Sequence, residues 1–173
     1  MEKFRYDAIP LSVTLEDGTQ VIHYFMVTGR GSLLPPGAYW SGAHQWKRDP
    51  IDAVIVENLN AAFQDRAFVS WRRLSEGDIP QDRTFRNAWV DDGKSIVHDM
   101  GKAKQLKREH LRHERAAVFP ALDAQWSRAF GQGKADEAAA VERRRQALRD
   151  MPADPRIDAA ATVDDLNAIR LPE

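Results

Sequence analysis

The chain predicts an α+β fold, and three patterns in it predict that class. Alternating apolar and polar residues from Leu11 to Leu15 meet a second apolar run, Val21 to Val27, across Asp17-Gly18. An aspartate–proline pair, Asp49-Pro50, opens a stripe of apolar residues at helical spacing. A much longer stretch, Met100 to Phe130, repeats apolar residues every three or four positions and stops at Gly131-Gln132-Gly133. Side chains alternate across a strand and recur about every 3.6 residues on a helix face, so the first pattern reads as strands and the others as helices.

The first element is a β-hairpin over residues 10–28. Leu11, Val13 and Leu15 give the leading strand one apolar side, with Ser12, Thr14 and Glu16 on the other. Asp17-Gly18 predicts a two-residue type I′ turn, which needs positive φ at both corners. The returning strand is apolar on both faces: Val21, Phe25 and Val27, then Ile22, Tyr24 and Met26. One of those faces therefore calls for cover from another element or another chain. Gly29-Arg30-Gly31-Ser32 and Pro35-Pro36-Gly37 break regular structure.

A helix is expected over 50–64, capped by Asp49 and started by Pro50 at its first position. Ile51, Val54, Ile55, Leu59, Ala62 and Phe63 form its stripe. Ala67 to Leu74 follows as a short strand containing Phe68, Val69 and Trp71. Residues 1–75 thus form an N-terminal α+β module. Residues 76–98 read as a connector that carries two aromatics, Phe85 and Trp89. Either these pack back onto a domain, as buried aromatics commonly do, or they anchor a partner. Asp91-Asp92-Gly93-Lys94 is expected to turn residues 88–90 back onto residues 95–97 as a minimal hairpin.

Residues 99–173 read as an antiparallel helical hairpin with a short C-terminal helix. Asp99 can accept the free amide hydrogens of the first turn. Ala103, Leu106, Leu111, Leu122 and Trp126 share the face of a long charged helix. Glycine favours the position just past a helix end, so Gly131-Gln132-Gly133 stops it. A second helix, 134–150, ends before Pro152, and so short a link makes the pair nearly antiparallel. Thr162 and Asp165 approximate a capping box and predict a helix over 163–169, with Val163, Leu166 and Ile169 packing on the hairpin.

Composition narrows the function. The 173 residues hold 25 basic and 26 acidic side chains, a balance that excludes a chain devoted wholly to nucleic acid or to membranes. Cysteine is absent, which excludes disulfides, a thiolate nucleophile and cysteine metal sites. The start of the sequence lacks the apolar run of a signal peptide, and no stretch approaches the length of a membrane span. A reducing cytoplasm is the expected place of folding.

Candidate chemistry is sparse. His110 and His113 lie three apart beside Glu109 and Glu114. Their order matches neither zinc-protease arrangement, and Arg108, Arg112 and Arg115 would repel a cation. No metal ligand set and no cofactor is assigned. Lys102, Lys104, Lys107, Arg108, Arg112 and Arg115 make residues 102–115 basic, with only Glu109 and Glu114 opposing. Such a face can neutralise phosphates, which is the alternative reading of a nucleic-acid-binding regulator. Equally, these spacings suit ion pairs along a solvated or interhelical face. Gly29-Arg30-Gly31-Ser32 lacks the full spacing of a phosphate loop. Ser41 and Ser70 have no evident histidine and aspartate, so no catalytic residue is assigned and the chain reads as non-enzymatic. Of five tryptophans, Trp40, Trp46, Trp71 and Trp89 fall near loops and strand ends. Tryptophan serves both cores and binding hot spots.

The run Ile79-Pro80-Gln81-Asp82-Arg83-Thr84-Phe85-Arg86-Asn87-Ala88-Trp89 resembles a segment of small tail proteins of phages and prophages. The similarity continues through His98-Asp99-Met100-Gly101-Lys102-Ala103, Arg108 to Arg112, Leu122-Asp123, Trp126 and Arg128-Ala129. It closes with Arg145 to Pro152, Ala153-Asp154-Pro155 and Thr162 to Leu166, similar to the C-terminal region of phage tail-assembly-chaperone-like proteins. In all it spans about residues 72–173. The resemblance implies a non-enzymatic protein of the tail tip, baseplate or fibre attachment, or a tail-fibre assembly factor. It implies other tail proteins as partners and self-association, with a trimer as in fibres one form of it; alternatively the helical hairpin closes on its own and leaves a monomer. It also implies synthesis in the bacterial host cytoplasm and incorporation into the virion tail. On this reading the apolar contacts to partners are Phe85, Trp89, Trp126, Leu106 and Leu111. The charged ones are Arg108, Arg112 and Arg115.

Overall fold

A computed structural model describes residues 8–26, 39–40, 46–47 and 51–172. It confirms the α+β class and divides the chain into two compact units. The first comprises residues 1–81 with Asp91–Val97, the second Asp82–Val90 with His98–Glu173.

In the first unit, β1 (Ala8–Leu15) and β2 (Gln20–Met26) pair antiparallel with Val13 opposite Val21. The turn between them differs from the expected two-residue type. The Gly18 amide donates to the Leu15 carbonyl at 3.0 Å, and the Leu15 amide donates to the Thr19 carbonyl at 2.9 Å. Glu16 and Asp17 are therefore the corners, and Gly18, at φ +79°, is the left-handed third residue that closes the loop. Asp17 assists by accepting the Thr19 amide at 2.8 Å.

A short antiparallel pair, β3 (Tyr39–Trp40) and β4 (Trp46–Lys47), precedes α1 (Ile51–Ala62). The expected helix start at Asp49-Pro50 and the expected breaks at Gly29–Ser32 and Pro35–Gly37 lie outside the described residues. Strand β5 (Phe68–Arg73) lies beside β1, giving the order β2-β1-β5 with β1 central. Period two puts Leu11, Val13 and Leu15 on one face of β1, where they are buried with Phe25, Ile55 and Leu59. Trp71 and Phe63 pack around that cluster, so Trp71 serves the core.

The other face of the sheet is polar where it is covered. Ser12 is buried there, and Arg72, its cross-strand neighbour, makes a two-pronged ion pair with Asp91 at 2.8 and 2.5 Å. Gln20 accepts the Asp91 amide at 2.9 Å. Asp91 ends β6 (Trp89–Asp91), which pairs with β7 (Ile96–His98) as the predicted minimal hairpin. Asp92 fixes the turn by accepting the Lys94 and Ser95 amides, each at 2.8 Å.

The second unit is built on two long helices, α2 (Met100–Gly131) and α3 (Ala135–Asp150). Asp99 caps α2 as predicted, accepting the Lys102 amide at 3.1 Å. Gly133, at φ +70°, makes the left-handed turn into α3. Two short helices follow, α4 (Pro155–Ala159) and α5 (Val163–Ala168). Thr162 and Asp165 form the complete capping box of α5. Helix α4 was not expected from the sequence, although Asp154 and Pro155 supply its cap and first residue.

The core of this unit joins Phe85, Ala88, Ala103, Leu111, Met151, Ile157, Leu166 and Ile169. Residues 76–98, read from sequence as a connector, are shared between the two units, and Phe85 and Ala88 are core residues of the second. Among the described residues, no helix is long and apolar enough to cross a membrane.

The Arg72 guanidinium first, then the Ser12 hydroxyl and the Gly93 amide, lower the Asp91 carboxyl to about 2. Its folded value lies below its unfolded one, so the stabilisation is present above about pH 4 and is lost as pH falls toward 2. Asp91→Asn is expected to cost about 1–2 kcal/mol at neutral pH, because Arg72 keeps its charge and loses its partner. Urea unfolding of wild type and variant at pH 7 and pH 3 checks this, and the difference between them should shrink at the lower pH.

Candidate protein-binding surface on the helical hairpin

At 32 residues, α2 extends about 48 Å. Its first turns enter the core through Ala103 and Leu111. Its second half lies against α3, and the side-chain contacts show that the pair is antiparallel. Arg115 reaches the carbonyl oxygens of Arg149 at 2.7 Å and Leu148 at 3.4 Å. Asp123 pairs with Arg145 at 2.9 Å. Leu122 and Ala129 of α2, with Ala138 and Leu148 of α3, are the buried residues of this narrower seam.

The seam leaves one aromatic face open. Phe119, Trp126 and Phe130 recur at seven- and four-residue steps, which places them on one side of α2. Trp126 and Phe130 stack with centroids 5.0 Å apart and planes at 11°. The guanidinium of Arg145 lies 6.0 Å from the Trp126 ring, and that of Arg149 lies 5.8 Å from Phe119. Arg145 is held there by Glu142 at 2.5 Å and by Asp123. The arginines cover the aromatics at their α3 side, while Phe130 remains 67% exposed. The result is a ledge of aromatic surface on a two-helix arm.

The structure separates the residues expected to contact partners. Trp126 is half-buried and belongs to the ledge. Arg112 is exposed. Phe85, at 1% exposure, and Leu111, at 0%, are corrected to core residues. Phe85 stacks on His110 inside the unit, with centroids 5.8 Å apart, and neither apolar side chain offers surface to a partner. Leu106 is half-buried and packs on the same core. Trp89 is half-buried, and its indole N–H donates to His98 Nε2 at 3.0 Å.

The basic helix face is also largely engaged inside the unit. Arg108 pairs with Asp158 at 2.5 Å, and Lys104 donates to the Asp158 carbonyl at 2.8 Å. Arg115 caps carbonyls at the end of α3, where the helix macrodipole favours a cation. Lys107 is buried at 5% exposure, and desolvation lowers its ammonium pKa, with Arg170 adding to the effect and Glu114 opposing it.

Sequence reasoning missed Asp158 and the pairing of Trp89 with His98. Asp158 is distant in sequence from Arg108, so no local signal could have revealed it, whereas Trp89 and His98 face each other across the minimal hairpin that Asp91–Lys94 predicts. Phe119 and Arg149 were also missed, although the step from Phe119 to Trp126 was available. Among the described residues, no group of three or more histidine or carboxylate side chains could hold a metal ion. No family model matches the sequence, and no curated protein or solved structure matches it.

Two outcomes follow. Phe85→Ala is expected to cost about 3–5 kcal/mol, as a large core truncation does. Phe130→Ser should change stability by less than about 1 kcal/mol, because its ring is mostly in water already. Thermal unfolding of the two variants checks the assignment of core and ledge. His98, whose pKa is lowered by burial against the opposing pull of Asp82, accepts from Trp89 as the neutral ring. A depressed folded value means the stabilisation is present above about pH 6.5 and is lost as pH falls through the folded value. Chemical denaturation between pH 7.5 and 5.5 should therefore show a loss that His98→Gln reduces.

Proposed function

We propose that the chain is a non-enzymatic phage or prophage tail protein that acts by protein–protein contact. Its place is the tail tip, baseplate or fibre attachment, or the assembly of the fibre. One observation carries the contact reading: the exposed Phe130 stacked on Trp126, on a helical arm braced by Arg145 and Asp123. Exposed aromatics on rigid elements supply large contact area at little ordering cost, which is why they recur at binding hot spots. The tail assignment is supported by the ordered motifs between Ile79 and Leu166. The nucleic-acid alternative is less well supported. Arg108, Arg115 and Lys104 are bonded within the unit, and Lys107 is buried.

Quantitative mass spectrometry tests this reading on phage particles and infected-cell lysate from a host carrying the gene. The expected result is the chain in particles at a fixed ratio to the major tail protein, or bound to tail-fibre protein in lysate. Trp126→Ala with Phe130→Ser should remove that association while helicity is kept. A chain found in neither association, but shifting nucleic acid at low salt, overturns the proposal in favour of the regulator.

A further inference from the structure

We propose that the outward face of α3 is a two-fold interface with a second copy of this chain, centred on Ala140. Ala138 and Leu148 turn toward α2 and are buried. A helix advances about 100° per residue, so Asp136, Ala140, Arg143 and Ala147 lie on the side away from that seam. All four are exposed, as are Glu137 and Arg144 on the adjoining flank.

The charges on this face have a symmetry of their own. Asp136 and Arg144 stand four residues either side of Ala140, and Glu137 and Arg143 stand three. The helix macrodipole accounts for the acidic first turn but acts only within the last turn at the other end. Arg143 and Arg144 lie before that last turn. Pairing within the helix does not account for them either. The residues three and four positions from Arg143 are Ala139, Ala140, Gln146 and Ala147. Those around Arg144 are Ala140, Val141, Ala147 and Leu148. Among the described residues, neither arginine joins an ion pair, and nor does Asp136, whereas the next arginines along, Arg145 and Arg149, are paired with Asp123 and Glu142. Glu137 bonds Lys134 at 3.2 Å, an exposed pair that is cheaply exchanged.

A second copy laid antiparallel satisfies this face. Rotation about an axis beside Ala140 sets the acidic end, Asp136 and Glu137, against the arginine end of the other copy, Arg143 and Arg144, twice over. Ala140 meets Ala140 at the axis, and Ala147 on the same face is also small, so the helices can approach to about 8 Å. Parallel pairing would set acid on acid and arginine on arginine. A threefold arrangement, which the tail resemblance implies as one option, cannot use this face, because rotation by 120° never sets two helices antiparallel. A self-complementary patch is the signature of an isologous contact, in which the same residues serve both sides. One helix face is a small interface of mainly rim charges, so the association is weak and screened by salt. None of this depends on the tail assignment.

Sedimentation equilibrium of the full chain at about 100 μM in low salt, the range of weak interfaces, tests the proposal. A monomer–dimer equilibrium is expected, and its Kd should rise at least about tenfold between roughly 0.05 and 0.5 M NaCl as the Debye length shortens. Arg143→Glu with Arg144→Glu makes the face wholly acidic, and Asp136→Lys with Glu137→Lys makes it wholly basic. Each double variant should be monomeric alone and folded by circular dichroism. Mixed, they should form a heterodimer, which a merely structural role for these residues would not produce. Ala140→Arg, at an exposed position, should abolish the dimer if a reversal variant fails to fold. The proposal is overturned by a monomeric wild type at low salt, by a dimer that persists in either reversal variant, or by a mixture of folded variants that stays monomeric.

Discussion

Helix α2 is longer than the core that receives it, and most of the second unit follows from that constraint. An amphipathic helix is stabilised by burying one face, and propensity alone seldom suffices. The first part of α2 finds a core of several elements in Ala103 and Leu111. Beyond Leu111 its partner is α3, and two helices in contact can each cover only one side of the other. Apolar burial is accordingly slight along the arm, and charged side chains take over part of the task. Arg115 satisfies carbonyls at the end of α3, and Arg145 bridges Asp123 and Glu142 while lying over Trp126. Pro120 sits inside this half of α2 at an exposed position, where water can take up the carbonyl its missing amide leaves free. The aromatic ledge is the remainder of the same geometry: it is the side that neither helix covers.

The first unit meets a related problem with one sheet of three strands. Because β1 is central, both its faces need cover. Helix α1 covers the apolar face through Ile55 and Leu59. On the second face the cover is ionic, with Asp91 drawing Arg72 across the sheet above buried Ser12. That arrangement explains why the sequence of β1 alternates so cleanly while β2 does not. The polar face of β1 has a specific partner, whereas Tyr24 on β2 stays 40% exposed.

Signals that act within one turn or one pleat were legible in the sequence. Asp99, the Thr162–Asp165 box and Gly133 act on backbone groups a few residues away, so their spacing alone identifies them. The period of α2 showed its buried face at Ala103, Leu111 and Leu122. The hairpin at Asp17-Gly18 was placed correctly and its turn type was not, since the same two residues fit a two-residue or a three-residue loop. Residues whose role depends on a distant partner could not be read. Phe85 in a charged segment reads more readily as a core side chain than as an anchor, and the packing of Met151, Ile157 and Leu166 around it bears out the core reading. Arg108 reads as part of a charged helix face or a partner contact, and its actual partner, Asp158, sits on α4, which the sequence did not reveal. Lys107 shows the limit of period arguments, because a long aliphatic stem can occupy a core position that composition assigns to the surface.

The two outward features of the arm differ in physics and in position. The ledge of Trp126 and Phe130 is apolar, so binding there gains from area removed from water and depends little on salt. The outer face of α3 is charged with small residues between, so binding there falls as salt rises. Arg145 and Arg149 project from α3 toward the ledge, while Asp136, Ala140 and Arg143 project away from the α2 seam. Pairing of two copies through α3 therefore leaves both ledges open. In an antiparallel pair the two arms point in opposite directions, with one ledge on each. Keeping the two faces of one arm apart asks for stiffness, and the Arg115 and Arg145 bonds across the seam supply it.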